Sequence, residues 1–170
     1  LACAGLARLH IMLPMVSLLS ELHLARTMLE EEALALGLTE LPMLGIMIEV
    51  PSAALMADVF APHVDFFSIG TNDLTQYTLA MDRDHPRLAS QADSFHPAVL
   101  RLIAITVKAA HAHGKWVGVC GALASEALAV PVLIGLGVDE LSVSVPLIPT
   151  IKATVRELGL ADCQIIARQV

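Results

Sequence analysis

Residues 44–73 read LGIMIEVPSAALMADVFAPHVDFFSIGTND, and this stretch decides the fold class. The apolar runs Leu44–Val50 and Phe66–Ile69 each predict a strand. Between them, Pro51 opens a short helix that runs through Phe60, because proline is tolerated in the first turn of a helix. Short continuous apolar runs are typical of strands that are buried on both faces of a parallel sheet. The stretch is therefore a strand–helix–strand unit, which predicts an α/β fold.

The same alternation continues on both sides of this unit. Short apolar runs predict three further strands, and the segments between them predict further helices. The polar stretch after Ile69 is predicted to lead into a loop through about Phe95. The further strands are His10–Leu13, Trp116–Gly121 and Leu141–Val145, and the further helices run from a cap at Ser17 or Ser20 to about Leu36, from Pro97 to near Gly114, from Ala124 to Ile134 and from about Pro149 to Leu158.

Five strands with intervening helices fit either an open doubly wound sheet or most of a (β/α)8 TIM barrel. A complete barrel typically takes about 250 residues, and this chain has 170. We therefore expect residues 1–170 to form a partial barrel domain that holds about the last five βα units. Three units would then lie upstream, in keeping with a chain that starts at Leu1 without an initiator methionine or a signal peptide.

Composition argues against two classes of partner. Hydrophobic residues make up 56% of the chain and the mean hydropathy is +0.71. Charged, polar or proline residues nevertheless interrupt every apolar run before it reaches the length of a spanning helix, so we expect no membrane insertion. A net charge of −7 lacks the clustered cations that nucleic acids require, so we expect no nucleic-acid partner. The spacing of Cys3, Cys120 and Cys163 predicts neither disulfides nor a zinc site and favours the reducing cytoplasm.

Residue types that take part in catalysis or metal binding stand where the predicted strands end, which is where parallel α/β folds place their active sites. Glu49 ends one apolar strand, and Asn72 and Asp73 follow the next one. A buried carboxylate is costly unless it binds a cation, and two hard oxygen ligands with open positions suit Mg²⁺. Cys120 ends a third strand. In the loop beyond Asp73, Arg83 offers a planar guanidinium that suits a phosphate.

Each of these residues also has a purely structural interpretation. Glu49 fits a buried ion pair with an arginine, and Asp73 fits a helix cap or an Asx turn. Cys120 fits an inert buried cysteine, and Arg83 fits a solvated loop charge. Their common position at or near strand ends favours a single site.

Three segments in the same order, Leu44–Asp58, Val64–Thr78 and Gly114–Gly121, resemble a known family. They are similar to the C-terminal phosphoenolpyruvate-binding domain of enzyme I of the bacterial sugar phosphotransferase system, alone or within a fused multiphosphoryl transfer protein. The resemblance implies a (β/α)8 barrel whose fourth to eighth strands lie in this chain. It also implies a transferase that passes the phosphoryl group of phosphoenolpyruvate to a histidine on another domain and releases pyruvate. An HPr-type carrier would accept the group next, and the enzyme would be a homodimer.

The resemblance implies a role for five residues by position. Family arginines that grip the substrate would lie on the first three strands, outside this chain. Glu49 and Asp73 match the Mg²⁺ ligands, Asn72, Asp73 and Arg83 match the substrate-binding groups at the phosphoryl end, and Cys120 matches the acid/base cysteine.

One position departs from the family pattern and keeps other functions open. Ala122, two residues after Cys120, stands where the family usually has a glutamate. A Mg²⁺-dependent aldolase that acts on a pyruvate enolate also uses a strand-end glutamate and aspartate, and Cys120 and Arg83 distinguish the two enzymes. A third hypothesis is a non-catalytic barrel with a dimerisation or regulatory role.

Overall fold

The structure is a computed structural model that describes Leu1 and residues 8–169. Its centre is a five-stranded sheet in which every adjacent pair of strands is parallel. Cys3, one of the three cysteines of the sequence, lies outside the described residues. The strands are β1 (His10–Leu13), β2 (Met43–Ile48), β3 (Phe66–Gly70), β4 (Trp116–Cys120) and β5 (Glu140–Leu141).

Helices connect these strands and continue beyond the last one. Within the described part of the chain, no helix is both long enough and apolar enough to cross a membrane. The helices are α1 (Leu19–Ala35), α2 (Pro51–Leu55), α3 (Ala57–Phe60), α4 (Thr71–Leu79), α5 (Pro97–Ala112), α6 (Ala129–Leu136), α7 (Ile148–Glu157) and α8 (Leu160–Ala167).

The order of the strands separates the two predicted architectures. In an open doubly wound sheet the strand order reverses at a switch point. Here each strand pairs with the next strand along the chain, from β1 through to β5. Sequential pairing of parallel strands is the arrangement of a (β/α)8 barrel. The predicted α/β fold is confirmed, with its strands in barrel order.

The two faces of the sheet carry different side chains, because successive residues of a strand point to opposite faces. One face packs against the helices and forms the core, and there Leu44, Ile46 and Ile48 of β2 are fully buried. On the opposite face, the rings of Phe66 and Trp116 are stacked with centroids 4.6 Å apart. This second face leads to the C-terminal edge of the sheet, where the predicted site residues lie.

Two aspartates fasten the N-terminal edge of the sheet in the same way. Asp65, directly before β3, accepts the backbone N–H of Leu44 in β2 at 2.7 Å and pairs with Arg26 of α1 at 3.5 Å. Asp139, directly before β5, accepts an N–H from the start of β4 at 2.8 Å and contacts His111 of α5 at 2.9 Å. Each aspartate thus ties a strand to its neighbour and to the helix that precedes that neighbour.

The beginning of α1 differs from its prediction. Helix α1 starts at Leu19, and neither Ser17 nor Ser20 caps it with a side chain. Instead Oε2 of Glu21 accepts the backbone N–H groups of Ser17 and Leu18, each at 2.8 Å. A carboxylate can satisfy two of the unpaired N–H groups before a helix, so it replaces the predicted hydroxyl. These two hydrogen bonds lower the pKa of Glu21 below its usual value of 4.5.

The polar stretch after β3 begins with a helix, although the sequence predicted that it leads into a loop. Helix α4 begins at Thr71, and its residues Leu74 and Thr75 are buried. The prediction was wrong because only a narrow face of this short helix is buried, so its polar face dominates the sequence pattern. The loop begins after Ala80, which ends the helix in the left-handed conformation with φ 52°.

Other predicted boundaries also shift. The helix predicted from Pro51 through Phe60 is broken at Met56 into α2 and α3. Strand β5 covers only two residues instead of Leu141–Val145, because a 3₁₀ turn containing Pro146 begins at Val145. Helix α6 begins at Ala129 rather than at Ala124, after a separate 3₁₀ turn. Helix α8 had no counterpart among the predicted elements.

Candidate active site

The sheet register brings two of the predicted residues, Glu49 and Cys120, to one edge. Ile48 is paired with Ile69, and Gly70 is paired with Cys120. Glu49 directly follows β2, so it stands beside Gly70 at the C-terminal edge. A β-carbon added to Gly70 would lie 2.9 Å from Oε2 of Glu49. The absence of a side chain at Gly70 therefore makes room for the carboxylate.

Glu49 is a buried carboxylate, with 4% of its surface exposed. Its Oε1 accepts the backbone N–H of Met15 at 2.6 Å. Within Leu1 and residues 8–169, no lysine, arginine or histidine forms a salt bridge with it, so the arginine pair considered from the sequence is absent from that part of the chain. The other carboxylate oxygen of Glu49, Oε2, is not among the buried atoms that lack a hydrogen-bond partner, so it is open to water or to a cation.

Met15 is held in an unusual conformation to make this contact. Its φ of 54° is in the left-handed region, which costs a residue other than glycine about 1–2 kcal/mol. The turn after β1 thereby directs a main-chain N–H at Glu49. Strain of this kind is often found at functional sites, where the surrounding structure maintains it.

Asp73 lies in the first turn of α4 and does not cap the helix, because Gly70 occupies the cap position. Its Oδ2 accepts a hydrogen bond from Nη1 of Arg83 at 3.2 Å, and both side chains are partly exposed. The backbone N–H of Arg83 also donates to Oε1 of Gln76 at 3.2 Å. The loop that carries Arg83 is therefore folded back over the first turns of α4, with the guanidinium on the carboxylate.

Asn72 connects α4 to the exit of β4. Its Oδ1 accepts the backbone N–H of Ala122 at 3.0 Å, so this contact does not use the two N–H groups of the amide. Gly121 lies between this contact and Cys120 with φ 95°. A β-carbon at Gly121 would lie 2.6 Å from Oγ1 of Thr71 and 3.0 Å from Oδ1 of Asn72. Glycine is required here by both the backbone conformation and the space.

Cys120 is half-buried and surrounded by polar groups. Oγ of Ser68 donates to its Sγ at 3.5 Å, and Sγ in turn donates to the carbonyl oxygen of Ile69 at 3.5 Å. Oγ1 of Thr71 donates to the Cys120 carbonyl at 3.0 Å, which fixes the backbone. Cys163, by contrast, is fully buried among α6 and α8. Cys163 thus has the environment of an inert cysteine, and Cys120 does not.

A cleft of about 590 Å³ opens beside Asn72 and Arg83. Its walls come from α4, from the loop after it and from the turn after β4. The lining is mainly polar, with an amide, hydroxyls, carboxylates and one guanidinium, so it suits a small polar ligand. The residues that line it are Asn72, Thr75, Arg83, Ala89, Ser90, Ala92, Asp93, Ser94, Phe95, Ala122 and Glu126.

The chemistry of the edge fits a divalent cation that prefers oxygen. Among the described residues, no three histidine, cysteine, aspartate or glutamate side chains cluster closely enough to hold a metal ion by themselves. Glu49 and Asp73 would then provide two carboxylates at most. Mg²⁺ is commonly held by one or two carboxylates together with waters and substrate oxygens. The residues present therefore fit Mg²⁺ and do not fit a zinc or calcium cage.

Three residues that support the site were not foreseen from the sequence. Met15 contributes a backbone N–H, which no side-chain pattern reveals. Ser68 lies two residues before Gly70 in β3, so the alternation along the strand could have placed it on the same face as Cys120. Thr71 follows the strand directly, and its short hydroxyl side chain was a signal for a local contact with the backbone.

A family of known proteins matches this chain. The family model described as "PEP-utilising enzyme, PEP-binding domain" matches residues 1–160. The chain belongs to this family, and the resemblance found in its sequence is confirmed.

Curated relatives share the sequence over almost the whole chain. A multiphosphoryl transfer protein from Rhodobacter capsulatus is 54% identical over 168 residues, which cover 99% of this chain and 20% of the relative. A phosphoenolpyruvate-protein phosphotransferase from Haloferax volcanii is 48% identical over 173 residues, which cover 99% of this chain and 31% of the relative. The chain thus spans between a fifth and a third of the length of these relatives.

Solved structures confirm the fold. A citrate lyase from Burkholderia xenovorans matches 85% of this chain and 48% of its own, with a TM-score of 0.67 and 21% identity. The protein CitE from Mycobacterium tuberculosis, in complex with magnesium and acetoacetate, matches 98% of this chain and 66% of its own, with a TM-score of 0.61 and 13% identity. At these identities the likeness concerns the fold alone.

Proposed function

We propose that this chain carries the metal-binding and proton-transferring half of a phosphoenolpyruvate-protein phosphotransferase site. The observation that supports this most strongly is the buried carboxylate of Glu49, which has one hydrogen-bonded oxygen and lies at the same strand edge as Cys120. The phosphoenolpyruvate-binding family of the chain supplies the substrate class. The phosphoryl acceptor would be a histidine on another domain of the same protein, and an HPr-like carrier would receive the group from it.

Glu49 and Asp73 would hold Mg²⁺. When bound there, Mg²⁺ would neutralise charge on the phosphoryl group and on the departing enolate. Glu49 is already positioned for this role by the Met15 N–H and by the space at Gly70. Asn72 would direct its free amide N–H groups at the phosphoryl oxygens.

Arg83 would bind the phosphoryl end of the substrate. Its guanidinium pairs with Oδ2 of Asp73, one of the proposed metal ligands. An oxygen that coordinates a cation is a poor acceptor for a second cation, so metal binding and this ion pair compete. Removal of the pair in Arg83→Ala should therefore tighten Mg²⁺ binding while it weakens phosphoenolpyruvate binding, and isothermal titration measures both.

Cys120 would donate the proton that converts the enolate to pyruvate. Transfer of the phosphoryl group leaves an enolate, and the thiol proton would then form the new C–H bond at the methylene carbon. The Ile69 carbonyl accepts the thiol hydrogen in the structure, which orients the sulfur. The thiolate left behind would regain its proton from solvent, relayed by a carboxylate near the turn after β4.

Glu126 would provide the carboxylate that Ala122 lacks. Both residues line the same cleft, and Glu126 lies at the end of the 3₁₀ turn that Ala122 begins. In this role the exposed carboxylate of Glu126 would return a proton to the thiolate. Glu126→Gln should therefore slow turnover, and the addition of Ala122→Glu to that variant should restore it.

We further propose that residues 1–170 form part of one (β/α)8 barrel in a longer cytoplasmic, homodimeric protein. The sequential strand order supports the barrel, and the extra length of the relatives supports the longer protein. Met12 and Met43, at the sheet's second face, are each 37% exposed, which is consistent with further barrel strands that would cover them.

The test is pyruvate release by the complete protein in a single turnover with Mg²⁺ and phosphoenolpyruvate. Cys120→Ser should bind Mg²⁺ normally and form pyruvate about 10²–10⁴ times more slowly, the usual effect of losing a general acid. Cys163→Ala is the control, since that cysteine is remote from the edge, and its rate should be unchanged. Full turnover in Cys120→Ser would remove Cys120 from the mechanism.

A further inference from the structure

We propose that Ser68 is a positioning residue for proton transfer by Cys120. Its hydroxyl would stabilise the thiolate that forms at Cys120 when the thiol gives its proton to the enolate. This inference rests on the role proposed above for Cys120. The two side chains are in direct contact, since Oγ of Ser68 donates to Sγ of Cys120 at 3.5 Å.

The register of the sheet makes this contact possible. Ser68 pairs with Gly118, and Gly70 pairs with Cys120, so the four positions form a rectangle across β3 and β4. All four lie on the same face of the sheet, because residues two apart along a strand point the same way. Two corners of the rectangle are glycines without side chains, so the hydroxyl and the thiol meet along its diagonal.

The hydroxyl of Ser68 is committed to this contact. Ser68 is buried, with 9% of its surface exposed, and its neighbours Phe67 and Ile69 in β3 are fully buried. Within Leu1 and residues 8–169, Sγ of Cys120 is the only hydrogen-bond partner of its Oγ. A buried hydroxyl is costly unless it is paired, so the contact accounts for a serine in an apolar strand.

The strength of the contact depends on the protonation of the sulfur. A thiol sulfur is a weak acceptor, whereas a hydrogen bond to an ionised acceptor is roughly twice as strong as a neutral one. The O–H of Ser68 therefore stabilises the thiolate of Cys120 more than it stabilises the thiol. A stabilising interaction that grows during a reaction step accelerates that step.

The proton-transfer step shows where this gain acts. The S–H bond of Cys120 breaks and its electron pair stays on the sulfur, while an electron pair of the enolate takes the proton to form the new C–H bond of pyruvate. The thiol hydrogen, which the Ile69 carbonyl accepts in the structure, turns to the enolate carbon. The Ser68 O–H keeps its contact with the sulfur throughout, and a donor that is already in place needs no reorganisation as charge develops.

The experiment measures the exchange of the methyl hydrogens of pyruvate for deuterium, catalysed by the complete protein with Mg²⁺ in heavy water and followed by nuclear magnetic resonance. This exchange needs the proton transfer between Cys120 and the methyl carbon but no phosphoryl transfer. Ser68→Ala should slow it about tenfold to a hundredfold, because a hydrogen bond to a charged group is lost. The affinity for pyruvate should not change.

Two variants control for the substitution itself. Ser68→Thr keeps the hydroxyl and should exchange at a rate close to that of the parent. Thr27→Ala removes an exposed hydroxyl whose hydrogen bond stays within α1, and its rate should equal that of the parent. Failure of Ser68→Thr to exchange faster than Ser68→Ala would count against the hydroxyl.

Infrared spectroscopy tests the contact apart from the reaction. The S–H stretching band of Cys120 is isolated as the difference between spectra with and without Cys120→Ala. This band should shift in Ser68→Ala, because the sulfur loses a hydrogen bond, and it should stay in place in Thr27→Ala. An unshifted band in Ser68→Ala would overturn the proposal.

The same measurements separate this inference from the proposed role of Cys120. Exchange by Cys120→Ala as fast as by the parent would refute the role of Cys120 and the inference with it. Slow exchange by Cys120→Ala together with full exchange by Ser68→Ala would refute the role of Ser68 alone. If Ser68→Ala slows Cys120→Ala by the same factor as it slows the parent, its effect does not pass through Cys120, and the proposal is overturned.

Discussion

Replacement of Gly121 by alanine should destabilise the fold and disrupt the site at the same time. Gly121 has φ 95° and ψ −174°, a conformation that is nearly restricted to glycine. The new methyl group would meet Oγ1 of Thr71 at 2.6 Å and Oδ1 of Asn72 at 3.0 Å. Both atoms make hydrogen bonds that hold the exit of β4, so neither can move without loss.

The expected magnitude follows from two separate costs. The backbone strain of a residue other than glycine in this region is about 1–3 kcal/mol. Insertion of a methyl group into a packed site costs about 1–3 kcal/mol more. Gly121→Ala should therefore lower the free energy of unfolding by about 2–6 kcal/mol.

Gly114→Ala is the matched control for the steric part of this cost. Gly114 also has a positive φ, 67°, but nothing lies within 4 Å of the position its β-carbon would take. It should therefore lose only about 1–2 kcal/mol. Urea unfolding, followed by the fluorescence of Trp116, the single tryptophan of the chain, measures both variants. Equal losses in the two variants would refute the packing of Gly121 against Thr71 and Asn72.

Three further predictions concern other parts of the structure. Gly135→Ala should destabilise the contact of α6 with α8 by about 1–3 kcal/mol, since its β-carbon would overlap the Cys163 carbonyl oxygen; an unchanged unfolding midpoint would contradict this. Asp139→Ala leaves the N–H of Val117 in β4 without its acceptor and should lower the free energy of unfolding by about 1–3 kcal/mol in the same assay. A loss below about 0.5 kcal/mol would contradict the role of Asp139 at the N-terminal edge of the sheet. Glu21→Gln tests the lowered pKa of that carboxyl. The folded state favours the ionised form of Glu21, so Glu21 should give a higher free energy of unfolding than glutamine at neutral pH. This difference should disappear as the pH falls below 4.5 through the lowered pKa, and urea unfolding at pH 7 and pH 3 measures it. An equal difference at both pH values would argue against the hydrogen bonds at the start of α1.

The sequence predicts the sheet better than the connections. The strands at His10–Leu13, Phe66–Ile69 and Trp116–Gly121 are found within one residue of their predicted ends. For β3 and β4 the reason is that strands buried on both faces are continuous apolar runs. Strand β5, which pairs with β4, is shorter than predicted. Helix α4 was missed because its exposed polar face outweighs its buried residues in the sequence.

The sequence predicts that certain side chains lie at one edge of the sheet, but not the contacts that hold them there. Glu49 and Cys120 could be placed at one edge because parallel strands end there together. The sequence did not indicate that Arg83 rests on Asp73, since a loop residue has no periodic signal to fix its partner. The N–H of Met15 was equally hidden, because any residue carries one and only the backbone conformation directs it.

The central claim is that Glu49 belongs to a Mg²⁺ site that binds phosphoenolpyruvate. The most direct measurement is the titration of phosphoenolpyruvate into the complete protein, with and without Mg²⁺, in the parent, in Glu49→Gln and in the surface control Glu31→Gln. We predict that Mg²⁺ strengthens phosphoenolpyruvate binding in the parent and in Glu31→Gln, and that this gain is lost in Glu49→Gln. Binding that is independent of Mg²⁺, or a full Mg²⁺ effect in Glu49→Gln, would contradict the claim.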